Sequence, residues 1–87
     1  MYATSPYATQ AKRNYVKNTI RQIQVDAARG EGEYLRTLAF MTGCKNHEVV
    51  KFNKGIQANY QKIFQPDQTV EVVLNNIEQL NICRPNI

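Results

Sequence analysis

Apolar residues recur along this chain every three to four positions and rarely alternate, which is the period of an amphipathic helix and not of a strand. Val16, Ile20, Ile23 and Ala27 form a first stripe, flanked by Arg13, Lys17 and Arg21, with Lys12 lying apart. Leu35, Leu38, Ala39 and Thr42 form a second, and Gly43 behind them is a natural left-handed helix stop. The best-defined stripe is Val49, Phe52, Ile56, Tyr60 and Ile63, with Lys51, Lys54, Ala58 and Lys62 opposite. Asn46 suits its N-cap and Glu48 its first turn, and Pro66 ends it. A last stripe, Val70, Val73, Leu74, Ile77 and Leu80, can be capped by Asp67 or Thr69 and is stopped by Pro85. Residues 1–7, with Ser5 and Pro6, read as a flexible lead-in to a single helical domain over residues 8–87. The pattern predicts an all-α fold: a small bundle of three to four helices with short up-down connections and no sheet. Phe52, Ile56, Tyr60, Ile63, Leu35, Leu38, Val73 and Ile77 are its expected core.

One stretch interrupts this regularity. ARGEGEYL, residues 28–35, places Gly30 and Gly32 among Arg29, Glu31 and Glu33. Three readings compete. The glycines can break the chain into two helices. A single helix can run through them, at a cost of about 1 kcal/mol per glycine relative to alanine, offset by close approach of another helix over Ala27, Ala28, Gly30 and Gly32. Or the exposed backbone and its charges can form a binding site. Glycine punctuation is most often structural, which favours the first two.

Eighty-seven residues make one small domain, 43% hydrophobic and 21% charged, too apolar to be disordered. No apolar run approaches the roughly 18 residues of a membrane span. The opening MYATSPYATQAKRNYV has no apolar h-region, so the chain is expected to lack a signal peptide and, if exported, to be a mature or trimmed form. The net charge is +4, and all of the excess lies in residues 1–30, where Lys12, Arg13, Lys17, Arg21 and Arg29 face Asp26 alone. A solvated face explains this simply; a patch for phosphate, anionic lipid or an acidic protein is the sharper reading.

Cys44 follows the second stripe and Cys83 the fourth. In an up-down order those helices run the same way, so both cysteines lie at one end of the bundle. A Cys44–Cys83 disulfide would staple a domain with little core to spare and would mark an oxidising compartment. The alternative is two reduced, buried thiols. With a single histidine, His47, the cysteines do not make a tetrahedral metal set, and no metal or cofactor is expected.

The run ARGEGEYLRTLAFMTGC and the later FNKGIQANYQKIF, with Gln57, Asn59, Tyr60, Ile63 and Phe64, together resemble an uncharacterised family of exported bacterial proteins known only as a domain of unknown function. The likeness lies in an Ala-x-Gly-x-Gly-Glu stretch leading into a leucine-rich helix, followed by a Gln-x-Asn-Tyr motif before an Ile-Phe pair. It spans about residues 14–82. It implies a periplasmic or secreted location, and family members carrying a signal peptide and an additional N-terminal segment. It supplies no activity and no catalytic residues.

The chemistry-bearing inventory is thin. There is no phosphate loop, no HExxH and no serine or cysteine set beside a histidine. Glu31 and Glu33 could pair as acid and base only in a non-helical loop. The expectation is therefore a non-enzymatic protein-binding or structural module. Its candidate surface is Arg29, Gly30, Glu31, Gly32, Glu33, Phe40, Arg13, Lys17 and Arg21. Phe40 lies off its own stripe and must pack on residues 1–10 or on another chain, so a protein partner or a second copy is the expected company. Tyr2, Tyr7 and Tyr15 add aromatic surface near the basic segment. The alternative is a basic domain that binds nucleic acid or another anionic ligand through the N-terminal helix; export argues against nucleic acid.

Overall fold

The structure, a computed structural model, describes residues 6–83, with side chains from Gln10 onward. The expected stop at Pro85, most of the expected lead-in, and the side chains of Tyr2 and Tyr7 lie outside the described residues. Five α-helices and one 3-10 turn make up the described chain, and no strand occurs in it. Helix α1 runs Pro6–Arg29, α2 Glu33–Thr42, α3 Val49–Ala58, α4 Tyr60–Ile63 and α5 Val70–Gln79; the 3-10 turn is Asn46–Glu48. Helix α1 thus begins at Pro6, ahead of the expected residue 8, and proline is well suited to a first helical turn because its fixed φ is already helical.

The long first helix is not straight. Thr19 leaves helical geometry (φ −126°, ψ 23°), and its Oγ1 donates 2.6 Å to the Tyr15 carbonyl one turn back. A hydroxyl that competes for the i−4 carbonyl bends a helix at that point. Ile20, just past the bend, is only partly buried, while Val16, Ile23 and Ala27 are fully buried.

Helices α1 and α2 end in the same way. Gly30 (φ +79°) and Gly43 (φ +110°) stand in the left-handed region. The amides of Gly30 and Glu31 donate to the Ala27 and Asp26 carbonyls. Those of Gly43 and Cys44 donate to the Phe40 and Ala39 carbonyls. Both are Schellman closures, in which the two amides after the helix satisfy its last carbonyls. Of the three readings of ARGEGEYL, the structure adopts the helix break.

Two local expectations change. Asn46 is not a cap: it opens the 3-10 turn, and Lys45 stands at the cap position. Glu48 Oε1 accepts 2.7 Å from the Lys45 amide, so a carboxylate three residues on reaches back to a residue whose own side chain cannot accept. The helix expected to run unbroken to Pro66 is split into α3 and α4 at Asn59 (φ −110°, ψ 21°). Asn59 Nδ2 donates 2.8 Å to the Gly55 carbonyl, which also accepts from the Asn59 amide at 3.2 Å, and a side chain that competes for its own i−4 carbonyl weakens the helix at that point. Thr69 is the cap of α5, accepting from the Val72 amide.

Helix α1 packs against α2, α3 and α5, and α5 also lies against α4. The fully buried set is Val16, Ile23, Ala27, Leu35, Leu38, Ala39, Ile56 and Ile63, with Phe52 at 1% exposure. Each large side chain in it contributes about 1.5–3 kcal/mol by leaving water. Val73, Ile77 and Phe64 close the core, and Tyr60 is half-buried, its ring 5.0 Å from that of Phe64. A radius of gyration of 12.0 Å equals the value of about 12 Å for a compact domain of this length. Cys44 and Cys83 are bonded, with Cα atoms 4.6 Å apart across a sequence separation of 39. Closing a loop of that size in the unfolded chain stabilises the fold by about 4 kcal/mol in the chain-entropy account.

Candidate functional site

The turn between α1 and α2 is organised by a residue outside the expected set. Asp26, in the last two turns of α1, is 7% exposed. Its Oδ2 accepts 2.9 Å from the Tyr34 amide and 3.2 Å from the Leu35 amide. These are orphan donors of the first turn of α2, so a carboxylate on one helix caps the next. Gly32 (φ +140°) stands at the N-cap position of α2. A Cβ on it would lie 2.1 Å from Asp26 Cγ, so no side chain fits. Gly30 faces a different neighbour. A Cβ there would lie 2.8 Å from Gln57 Oε1, and Gln57 Nε2 donates 3.0 Å to the Ala28 carbonyl. The two stretches ARGEGEYL and GIQANYQKIF thereby touch, through Ala28, Gly30 and Gln57.

The expected interaction residues divide into separate places. Arg29 and Glu31 form an ion pair at 3.9 Å with both side chains well exposed, a geometry that adds little stability. Glu33 is exposed in the first turn of α2. Phe40 is 42% exposed, and the Arg36 guanidinium carbon lies 5.6 Å from its ring centroid. The packing expected of Phe40 on residues 1–10 or on another chain falls on side chains that, up to residue 9, lie outside the described residues.

The basic stripe is also divided. Arg13 pairs with Glu71 of α5, and Lys12, at 9% exposure, pairs with Glu78 one face-repeat further along α5. The Glu71 carboxyl lies below its ordinary range, through a hydrogen bond to its own backbone amide first and the Arg13 guanidinium second. Lys17 and Arg21 remain, exposed and without an ion pair among the described residues.

Arg21 borders a shallow groove of about 320 Å³ with Gln22, Val25, Asp26 and Tyr34. Val25 is 58% exposed and Tyr34 39%, so apolar surface stands open along the α1–α2 edge. Tyr15 Oη donates 3.0 Å to the Tyr34 carbonyl and ties the two helices together. An open groove of about 580 Å³ runs beside the α3–α4 break, between Ala28, Gln57, Asn59, Tyr60 and Lys62. Among the described residues no His, Cys, Asp and Glu group is placed to hold a metal, and no helix is long and apolar enough to cross a membrane. His47 is exposed in the 3-10 turn.

Asp26, Lys12, Gln57 and Asn59 are the organising residues that periodicity alone did not single out. Asp26 and Lys12 left a signal: each falls at helical spacing on the first apolar stripe, three residues after Ile23 and four before Val16. A comparison with curated proteins and another with solved structures each gave no match. A family model described as a protein of unknown function, DUF3015, matches residues 3–82, and the chain belongs to that family.

Proposed function

We propose that this domain is an exported, periplasmic, non-enzymatic helical module that binds a protein partner along its α1–α2 edge. The observation that carries the reading is the groove between Arg21, Val25 and Tyr34, where two apolar side chains stand in solvent next to a base that has no ion pair among the described residues. Apolar surface with an aromatic and an arginine at its margin has the composition of an interface core. The Cys44–Cys83 bond supports an oxidising location. Arg29, Glu31 and Glu33 lie at one end of the same edge and add charge at its rim.

The test is a photo-crosslinking amino acid placed at Val25 or at Tyr34 in cells of the source bacterium, with fractionation. One discrete adduct in the periplasmic fraction, lost in Arg21→Glu and absent when the crosslinker is at Gln65, is the expected outcome. Adducts of equal intensity from all positions, or protein confined to the cytoplasm with free thiols, would sink the reading. The anionic-ligand alternative rests on Lys17 and Arg21. With Lys12 and Arg13 already paired to α5, two exposed bases are few for a nucleic-acid footprint. Oligonucleotide binding with a steep salt dependence would favour it instead.

A further inference from the structure

We infer that residues 80–83 form a redox-operated latch, which a dithiol reductant opens at Cys44–Cys83 while the helical core stays folded. Helix α5 stops at Gln79, and the chain beyond it turns through Asn81 and Cys83, both at φ +60°. Asparagine tolerates the left-handed region; cysteine, with an unhelpful Cβ, occupies it rarely. That backbone path delivers Ile82 onto α3 at Gly55. A Cβ on Gly55 would lie 2.2 Å from Ile82 Cδ1, so the glycine is the notch in which Ile82 sits. The segment is therefore held by a covalent bond at one residue and a seat at its neighbour. The buried core lies elsewhere: among the described residues every one below 6% exposure falls between Val16 and Ile77, and Leu80, Ile82 and Cys83 are only partly buried.

The two cysteines differ in exposure, Cys44 being 6% exposed and Cys83 only partly buried. A reductant thiolate attacks Cys83 Sγ, the S–S electron pair passes to Cys44 Sγ, and Cys44 takes up a proton. The second thiol of the reductant then attacks the mixed disulfide, releases Cys83 as a thiol and closes the reductant's own disulfide. Two electrons and two protons have passed from the dithiol to the protein. With the bond open, Cys83 can leave its left-handed conformation, Ile82 is no longer held, and the Gly55 face of α3 is uncovered.

The experiment compares hydrogen exchange of the oxidised protein and of protein reduced with dithiothreitol, at low temperature. The Leu80 and Asn81 amides, which donate to the Ile77 and Glu78 carbonyls, should lose protection by at least about tenfold on reduction. The amides of Leu38, Phe52 and Ile56 should stay strongly protected, losing no more than about the thousandfold that the cross-link's share of global stability represents. In parallel, Gly55→Ala should displace Ile82 without harming α3, since alanine is the better helix former. At one fixed ratio of reduced to oxidised dithiothreitol it should raise the reduced-to-oxidised ratio of the protein about fivefold, the scale of part of one isoleucine's burial. Exchange of the core amides at the rate of an unfolded chain would make the bond a global staple and overturn the latch. Unchanged protection at Leu80 and Asn81, or an unchanged reduced fraction in Gly55→Ala, would overturn it as well.

Discussion

Replacing Asp26 by alanine should be among the most damaging single changes on the α1–α2 edge. The carboxylate accepts from two amides, of Tyr34 at 2.9 Å and Leu35 at 3.2 Å, and Leu35 is fully buried. Hydrogen bonds to a charged group contribute about 1.5–3 kcal/mol, and the loss of an ordinary helix cap costs about 0.5–2. With both amides orphaned, the expected loss for Asp26→Ala is about 2–3 kcal/mol. In a domain of this size that corresponds to a fall in Tm of about 10–20 °C. Asp26→Asn retains an oxygen acceptor and should lose about 1 kcal/mol. Gly32→Ala meets the same carboxylate, because its new Cβ would lie 2.1 Å from Asp26 Cγ. Its cost should exceed about 2 kcal/mol in the parent and fall towards the backbone share of about 1–2 kcal/mol in an Asp26→Ala background. The assay is urea unfolding followed by circular dichroism on the two single variants and the double variant. A loss under about 0.5 kcal/mol for Asp26→Ala, or additivity within that range, would refute the cap and the close approach together.

Gly30→Ala should also destabilise, because φ is +79° and the Gln57 amide occupies the space; Gln57→Ala should partly relieve it in the same unfolding assay. Ile56→Ala should cost about 2–5 kcal/mol by transfer and cavity terms, whereas Asn53→Leu should be near neutral or stabilising, since Asn53 Oδ1 is buried without a hydrogen-bond partner among the described residues. Tyr15 gives a pH-dependent outcome. Burial holds its phenol above the ordinary value of 10.0, because the phenolate would lose solvation. The folded state therefore prefers the protonated form, and this contribution is fully present below the unfolded value and is lost as pH rises through the folded one. Ultraviolet titration should show a late-ionising component that disappears in Tyr15→Phe, and an ordinary titration of Tyr15 would remove the effect.

The helices were legible because their signals are local. A stripe such as Val49, Phe52 and Ile56 repeats with the helix period, and the same residues are buried in the folded chain. Gly43 announced a left-handed stop, and Gly43 makes one. The break at Asn59 escaped, because a side chain that takes an i−4 carbonyl leaves the apolar period intact on both sides. The candidate site was less legible. Glu31 and Glu33 drew attention as carboxylates beside glycines, yet the acid that organises the turn is Asp26, one turn earlier on the buried face. The basic stripe was visible as a sum of charges, but its partners Glu71 and Glu78 lie more than 50 residues away in the chain.

By itself, then, the sequence determined the all-helical class, the stripes that become the core, the left-handed stop at Gly43, and the pair of cysteines available to be joined. These depend on period, on backbone freedom and on residue type, which act over a few positions. Only the tertiary structure decided which carboxylate caps α2, why a side chain at Gly32 would meet Asp26 and one at Gly30 would meet Gln57, which bases are neutralised and which apolar residues stay in water. Each of those depends on an atom from a distant segment, Gln57 against Gly30 or Glu71 against Arg13. A one-dimensional pattern carries the period of a helix but not the rotation and approach with which two helices meet, and it is that approach which places the two partners within reach.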